Sequence, residues 1–269
     1  MPCCSRGTQH PRAGQRAPAG WHTEPVGTNH FGERIAGMYD DDSSVMFAPA
    51  VVGPTVDFLA DLARGGPALE LGIGTGRIAL PLSTRGVAVQ GIDLSPDMVA
   101  RLRSKPGADA IAVSIGDFAA TEVEGSFALV YLVFNTIGNL TTQEEQVACF
   151  CNAARHLDAG GCFVVEVGVP PIRRLPPGET VRAFTVSPTR LGFDEFDVAE
   201  QRGISHHYRV TGDRVETFSV PYRYVWPAEL DLMARIAGLR LRERWGGWRR
   251  EPFTGESAMH VSVWEKPES

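Results

Sequence analysis

Apolar and polar positions change rhythm along this chain. From 68 to 169, short and nearly continuous apolar runs alternate with stretches whose apolar residues recur every three or four positions. The runs 68–74 (ALELGIG), 87–93 (VAVQGID), 110–116 (AIAVSIG), 126–134 (SFALVYLVF) and 162–169 (CFVVEVGV) read as strands. Segments 75–85, 95–105 and 141–157 between them read as helices. Such alternation predicts an α/β fold whose parallel sheet is covered on both faces. Ser95 followed by Pro96 is a strong helix start, an N-cap and then a residue pre-set for the first turn. Pro81 is discordant, because a proline inside 75–85 loses a backbone hydrogen bond.

The flanks read differently. Residues 1–27 are rich in Pro, Gly and Arg, show no periodicity, and are expected to be a disordered tail. Order is expected to begin with a short helix or cap at 31–42 and a helix at 51–64. Within 170–225 the period falls to two, and 181–187, 206–211 and 215–226 read as hairpin strands around Gly212-Asp213. A helix at 227–237 and strands at 239–246 and 260–266 close the chain. This divides it into an α/β domain, 28–169 with 226–269, and a β-rich cap or insertion at 170–225.

Composition narrows the function classes. With 269 residues, 43% hydrophobic and 22% charged, the chain can bury a sizeable core. A net charge of -6 argues against a nucleic-acid partner. The arginines of 239–250 (LRLRERWGGWRR) read as a solvated strand face. Cys3, Cys4, Cys149, Cys151 and Cys162 form no C-x-x-C pair, so no metal site and no disulfide frame is expected. Inert thiols suit a reducing cytoplasm. No apolar run approaches the roughly 18 residues of a membrane span, and no secretory signal is visible, so no membrane partner is expected.

The candidate chemistry begins at Leu69–Arg77, LELGIGTGR. Glycines stand at 72, 74 and 76, whereas a nicotinamide fingerprint would place the third at 77, where Arg77 stands. Ligands of open α/β sheets sit at the carboxyl ends of the strands. Glu70 precedes the loop and could face a cationic group directly or through water. Asp93, at the end of the second strand, is spaced from Gly72 as a ribose-binding acid would be. Asp117 could accept from an adenine amino group, and Phe118 could pack on its ring.

ELGIGTG and GIDLSPDM, followed by GDF and VFN on later strand ends, resemble class I S-adenosylmethionine-dependent methyltransferases, most of all those acting on sugars, amines and natural products. The resemblance implies a Rossmann-like, doubly wound, mostly parallel sheet with an antiparallel last strand, and S-adenosyl-L-methionine as cofactor. It implies that Glu70, Gly72, Gly74 and Gly76 line the methionine end and that Asp93 holds the ribose. It places Leu94 and Met98 beside the adenine, Asp117 and Phe118 over it, and Val133 at the sulfonium side. Tyr39 resembles an N-terminal tyrosine that closes over the methionine part. FNTIGNL at 134–140 lacks the Pro-Pro of nucleic-acid amino-methyltransferases.

A small-molecule acceptor follows from the same resemblance, methylated on N or O, with C-methylation of an electron-rich ring open. The alternatives are a protein- or RNA-directed methyltransferase and an NAD-dependent oxidoreductase, which Glu70 and Arg77 oppose. The cap would roof the acceptor or build a homodimer. Tyr39, Glu166 and His206 are the catalytic candidates. Phe134, Asn135, Tyr224 and Trp248 are the expected acceptor wall, with 134–146 (FNTIGNLTTQEEQ) as pocket wall below the cap and His207, Tyr222 and Trp245 as further candidates. His206 and His207 are neighbours on a strand, so at most one can face the pocket.

Overall fold

The computed structural model describes residues 29–42 and 44–268. The tail expected at 1–27, with Cys3 and Cys4, lies outside them. Among the described residues no helix is long and apolar enough to cross a membrane. The N-terminal helix α1 (Glu33–Asp42) leads to α2 (Pro49–Ala63), then β1 (Ala68–Leu71), α3 (Ala79–Thr84), β2 (Val89–Asp93) and α4 (Pro96–Arg103). After these come β3 (Ala112–Ile115), β4 (Phe127–Leu132), α5 (Gln143–His156) and β5 (Leu157–Gly168). The cap strands are β6 (Val181–Val186), β7 (Arg190–Asp197), β8 (Arg202–Thr211) and β9 (Arg214–Arg223). The chain closes with α6 (Pro227–Ile236), β10 (Arg240–Trp245) and β11 (Met259–Glu265).

Seven strands form one sheet in the order β10-β11-β5-β4-β1-β2-β3. β11 runs antiparallel to β5, while β1, β2, β3, β4 and β5 are parallel. The parallel strands are those the apolar runs predict, and the antiparallel last strand is what the resemblance implies. The order reverses between β1 and β4, so the loops after those two strands open a crevice at their carboxyl ends. Both sheet faces are packed. Phe150, Phe163 and Trp264 form edge-on contacts on one face. Phe58, Leu59 and Leu82 fill the other.

Local signals explain the element ends. Ser95 Oγ accepts from Met98 N–H at 3.2 Å and caps α4. Thr142 and Glu145 form a reciprocal capping box at the start of α5. Pro81 is not a discord after all. The glycine loop runs on to Ile78, which places Pro81 in the first turn of α3, where an absent N–H leaves no bond unmade.

The four cap strands make a separate antiparallel sheet in the order β6-β7-β8-β9. β7 (RLGFDEFD) is the strand the sequence pattern does not announce, because both of its faces mix polar with apolar residues. The cap is anchored through a buried ionic hub. Arg223, on β9, donates to Gln146 Oε1 and to Glu229 Oε1, each at 2.6 Å. Glu229 also accepts from Gln143 at 2.7 Å and from Gln201 at 2.9 Å. Burial pushes the Glu229 carboxyl up, but the bonds from Arg223, Gln201 and Gln143 outweigh it and hold the group below the ordinary value.

Candidate active site

The glycine loop leaves β1 with Gly72 at φ 73° and Gly74 at φ 54°, both in the left-handed region. A Cβ on Gly72 would stand 2.6 Å from Thr136 Cγ2, so the loops after β1 and β4 close on each other only because that position is bare. Asp93 ties the cradle together. Its Oδ2 accepts from Gly74 N–H at 2.6 Å and its Oδ1 from Ser95 N–H at 2.8 Å. Burial raises the Asp93 carboxyl, and those two bonds partly offset the rise. Each oxygen keeps a lone pair for a ligand hydroxyl.

Gly76 has a different role from the methionine-end lining expected of it. A Cβ there would lie 3.0 Å from Leu102, so its bareness lets α4 pack on the loop. Glu70 lies beneath the loop, fully covered, and accepts from Tyr131 O–H at 2.9 Å. Burial pushes its carboxyl up to about 8, against the pull of the Tyr131 bond and of Arg77.

The crevice beside this cradle is lined by Gly72, Gly74, Asp93, Leu94, Met98, Asp117 and Phe118, all sequence candidates brought together. Asp117 Oδ1 also accepts from Ala119 N–H at 2.8 Å, which fixes its turn. The opposite wall is Thr136, Asn139, Leu140, Thr141 and Glu145, from the stretch 134–146 that the sequence reading gave to the acceptor pocket. Those residues follow β4 and carry no motif.

The turn after β4 is strained. Phe134 and Asn135 both have φ 61°, a conformation costly for residues with a Cβ. Three contacts hold it. Glu166 accepts from Phe134 N–H at 2.8 Å. Asn135 Oδ1 accepts from Gly168 N–H at 2.6 Å. The Arg77 guanidinium sits 4.8 Å from the centre of the Phe134 ring. Burial raises Glu166, and the Phe134 amide, Arg77 and a bond from Trp248 lower it. Glu166 therefore braces the turn, and its carboxylate is spent on the Phe134 amide and Trp248. Val133 is buried, and its carbonyl accepts from Thr136 Oγ1 at 2.7 Å.

A second cavity of about 650 Å³ lies between the cap and this turn. Phe134, Asn135 and Tyr224 line it. Tyr222 and His207 join them from the cap. His206 does not, because alternation along β8 turns it to the outer face, where it meets Ser219 at 2.8 Å and Glu195 at 3.5 Å. Trp248 is also displaced from the expected wall. It stands edge-on to Phe58, ring centres 5.4 Å apart, on the helix-covered face, and Trp245 packs on the same cluster.

Asp194 and Ser205 are cavity residues that sequence reasoning did not single out. They pair across β7 and β8, and the Ser205 hydroxyl bonds the Asp194 carboxylate. His207 Nε2 lies 3.1 Å from Ser205 Oγ, and its ring stacks on Phe218 with centres 4.5 Å apart. The two cavities share Phe31, Tyr39, Thr136 and Asn139. Tyr39 lies at this junction as a neutral phenol, raised above its ordinary value by burial.

A bare cradle, an acid at the second strand end and a clasped aromatic turn at the switch point define a binder of an adenosine-bearing cofactor that needs no phosphate loop. The comparisons with known proteins go further. A family model described as a methyltransferase domain matches residues 68–161. The chain is 35% identical to the CcbJ methyltransferase of Streptomyces caelestis, with TM-score 0.80, over 88% of this chain and 98% of that one. It is 29% identical over 212 residues to a Streptomyces cypemycin N-terminal methyltransferase, covering 75% of this chain and 84% of that protein. CalS10 of Micromonospora echinaspora, an amino pentose methyltransferase solved with S-adenosylmethionine bound, shares the fold at 20% identity and TM-score 0.68, over 85% of this chain and 96% of that one. The chain belongs to the S-adenosylmethionine-dependent methyltransferases.

The residues present fit that cofactor. The Gly72 and Gly74 cradle leaves backbone open to a ligand, and Asp93 presents acceptors where ribose hydroxyls would lie. Bound there, S-adenosylmethionine supplies an electrophilic methyl group on a sulfonium.

Proposed function

We propose that this enzyme N-methylates a neutral amine on a small, amphipathic molecule held under the cap at 170–225. The observation that carries the reading is the junction of the two cavities. The four side chains that line both, Phe31, Tyr39, Thr136 and Asn139, include no carboxylate and no imidazole. A hydroxyl acceptor needs a base, whereas an amine lone pair needs only alignment. Tyr39, half-buried and neutral, would orient the amine and exclude water. The cavity is of a size to hold a drug-sized acceptor. Its roof offers apolar walls from Phe184, Phe196 and Val220 and a polar row, Asp194, Ser205 and His207, for the far end of the acceptor. The relatives' printed names, cypemycin N-terminal methyltransferase and amino pentose methyltransferase, favour nitrogen as well.

The same proposal keeps the enzyme in a reducing cytoplasm, supported by the buried free thiols Cys149 and Cys162. It includes a homodimer through the outer cap face, which exposes Leu191, Val210 and Val215; light scattering of the purified chain reads that part. The test of the function is a matched library of amines and their hydroxyl analogues, each incubated with labelled S-adenosylmethionine. Transfer to amines supports the reading. Transfer to hydroxyl analogues alone, or to protein or RNA in a lysate, overturns it.

A further inference from the structure

We propose that Asp40, Thr75 and Lys105 form a latch that sets Tyr39 over the bound cofactor, so that Asp40 and Lys105 are positioning residues for methyl transfer. The proposal rests on the cofactor site and is independent of the acceptor's identity.

Thr75 lies between Gly74 and Gly76, with almost no exposure to solvent. Both of its polar ends are taken by the latch. Its Oγ1 donates to Asp40 Oδ1 at 2.7 Å, and its carbonyl accepts from Lys105 Nζ at 2.8 Å. Lys105 Nζ closes the triangle on Asp40 Oδ2 at 2.7 Å. One carboxylate, one hydroxyl, one carbonyl and one ammonium therefore join α1, the glycine loop and the residues just after α4. Asp40 is the neighbour of Tyr39, which lines both cavities.

The attachment of α1 depends on polar bonds. Ala36 is its one buried apolar side chain among those described. Arg101 donates to the carbonyls of Ala36 at 3.2 Å and Gly37 at 2.6 Å. Ser95 donates to the carbonyl of Phe31 at 2.6 Å. Those bonds run to α4 and its cap and are blind to the glycine loop. Among the described residues of α1, the Asp40 triangle is the tie to the loop that cradles the cofactor, and just after α1 the Met46 carbonyl accepts from Arg77 of that loop at 3.3 Å. A change in the carbonyl direction or hydroxyl position of Thr75 is passed directly to Asp40 and so to Tyr39. Lys105, at 25% side-chain exposure, is covered enough for its ion pair to exceed a surface one.

The test uses the full chain, with S-adenosylhomocysteine affinity by calorimetry and release by stopped flow. Asp40→Asn, Thr75→Val and Lys105→Met are each expected to speed release about tenfold, on the scale of one charge-assisted hydrogen bond. The KM for S-adenosylmethionine should rise more than kcat falls. The double variant Asp40→Asn with Thr75→Val should fall short of the sum of the single changes, because both act on the Asp40–Thr75 bond while Asp40→Asn also removes the charge that faces Lys105. Lys105→Arg, which keeps the ion pair, should restore slow release. Unchanged release in Asp40→Asn and Thr75→Val, or strictly additive effects, overturns the latch while leaving the cofactor site intact. Wild-type protein that binds no S-adenosylhomocysteine overturns the cofactor assignment and the latch together.

Discussion

The two cavities are built in opposite ways. The cofactor crevice is made where strands end: bare backbone at Gly72 and Gly74, and one carboxylate, Asp93, that clasps two amides. The cavity under the cap is made by side chains on the face of a second sheet, held in place by Arg223, which also lines it, and Glu229. A site made from backbone at a topological switch point admits few solutions. A site made from side chains on a strand face changes with every alternate residue and leaves the fold untouched. That contrast explains why one half of the enzyme declares its ligand and the other does not.

The largest effect should come from the hub that hangs the cap. Arg223→Met leaves the half-buried Glu229 without its cation, and since removal of one partner of a fully buried pair costs about 3–5 kcal/mol, the loss here should lie at or below the lower end of that range. Denaturant unfolding should show this loss. Affinity for S-adenosylhomocysteine should change less than about twofold in the molecules that remain folded, within the additivity expected of distant sites. A large loss of cofactor affinity would erase the proposed separation of the two halves. The hub also has a pH signature. The Glu229 carboxyl is held below its ordinary value in the folded state, so its stabilising contribution is present above the unfolded value of about 4.3. It fades as pH falls through the lower folded value, and Arg223→Met should lose that acid-side dependence.

Next is Asp93→Ala, which orphans the Gly74 and Ser95 amides and removes the ribose acceptor. Each unsatisfied buried group costs about 1–3 kcal/mol, so cofactor affinity should fall at least about a hundredfold. Calorimetry with near wild-type affinity would remove Asp93 from the site. This residue also marks how much could be read beforehand. Its spacing from Gly72, the Ser95 cap and the apolar strands are local features, and the strands and the helix they imply are present. Thr136, Asp194 and Ser205 depend on register: which loop faces Gly72, and which face of β7 and β8 looks inward. No single segment encodes that. Glu166 and Trp248 mislead for the same reason, since an acid and an aromatic near a strand end can brace a turn as readily as touch a substrate.

A smaller effect separates the loop from what lies under it. Burial raises the Glu70 carboxyl to about 8, so the folded state binds a proton that the unfolded chain has released. Stability from this group is therefore present below the unfolded value of about 4.3 and is lost as pH climbs towards 8, at up to about 1.4 kcal/mol per pH unit. Glu70→Gln keeps an acceptor for Tyr131 and should flatten that slope between pH 5 and 8, read as Tm against pH for both proteins. An unchanged slope would mean that Glu70 is ionised throughout, held by Arg77 more firmly than its burial suggests.

The smallest change offers the finest test of the cap. His206 and His207 are adjacent, chemically identical and on opposite faces of β8. His207 stacks on Phe218 inside the cavity and bonds Ser205, which bonds Asp194. His206 faces Glu195 and Ser219 outside. His207→Ala should raise the acceptor KM about five- to tenfold, the worth of one hydrogen bond and a stacked ring, with little change in kcat if the row serves binding alone. His206→Ala should move neither parameter by more than about twofold, as surface changes away from a site generally do. A fall in kcat for His207→Ala, with loss of a pH dependence that the wild-type enzyme shows, would make the imidazole a proton acceptor and return hydroxyl methylation to consideration. Equal effects from both histidines would mean that the cap face does not discriminate, and that the acceptor is held by the turn after β4 alone.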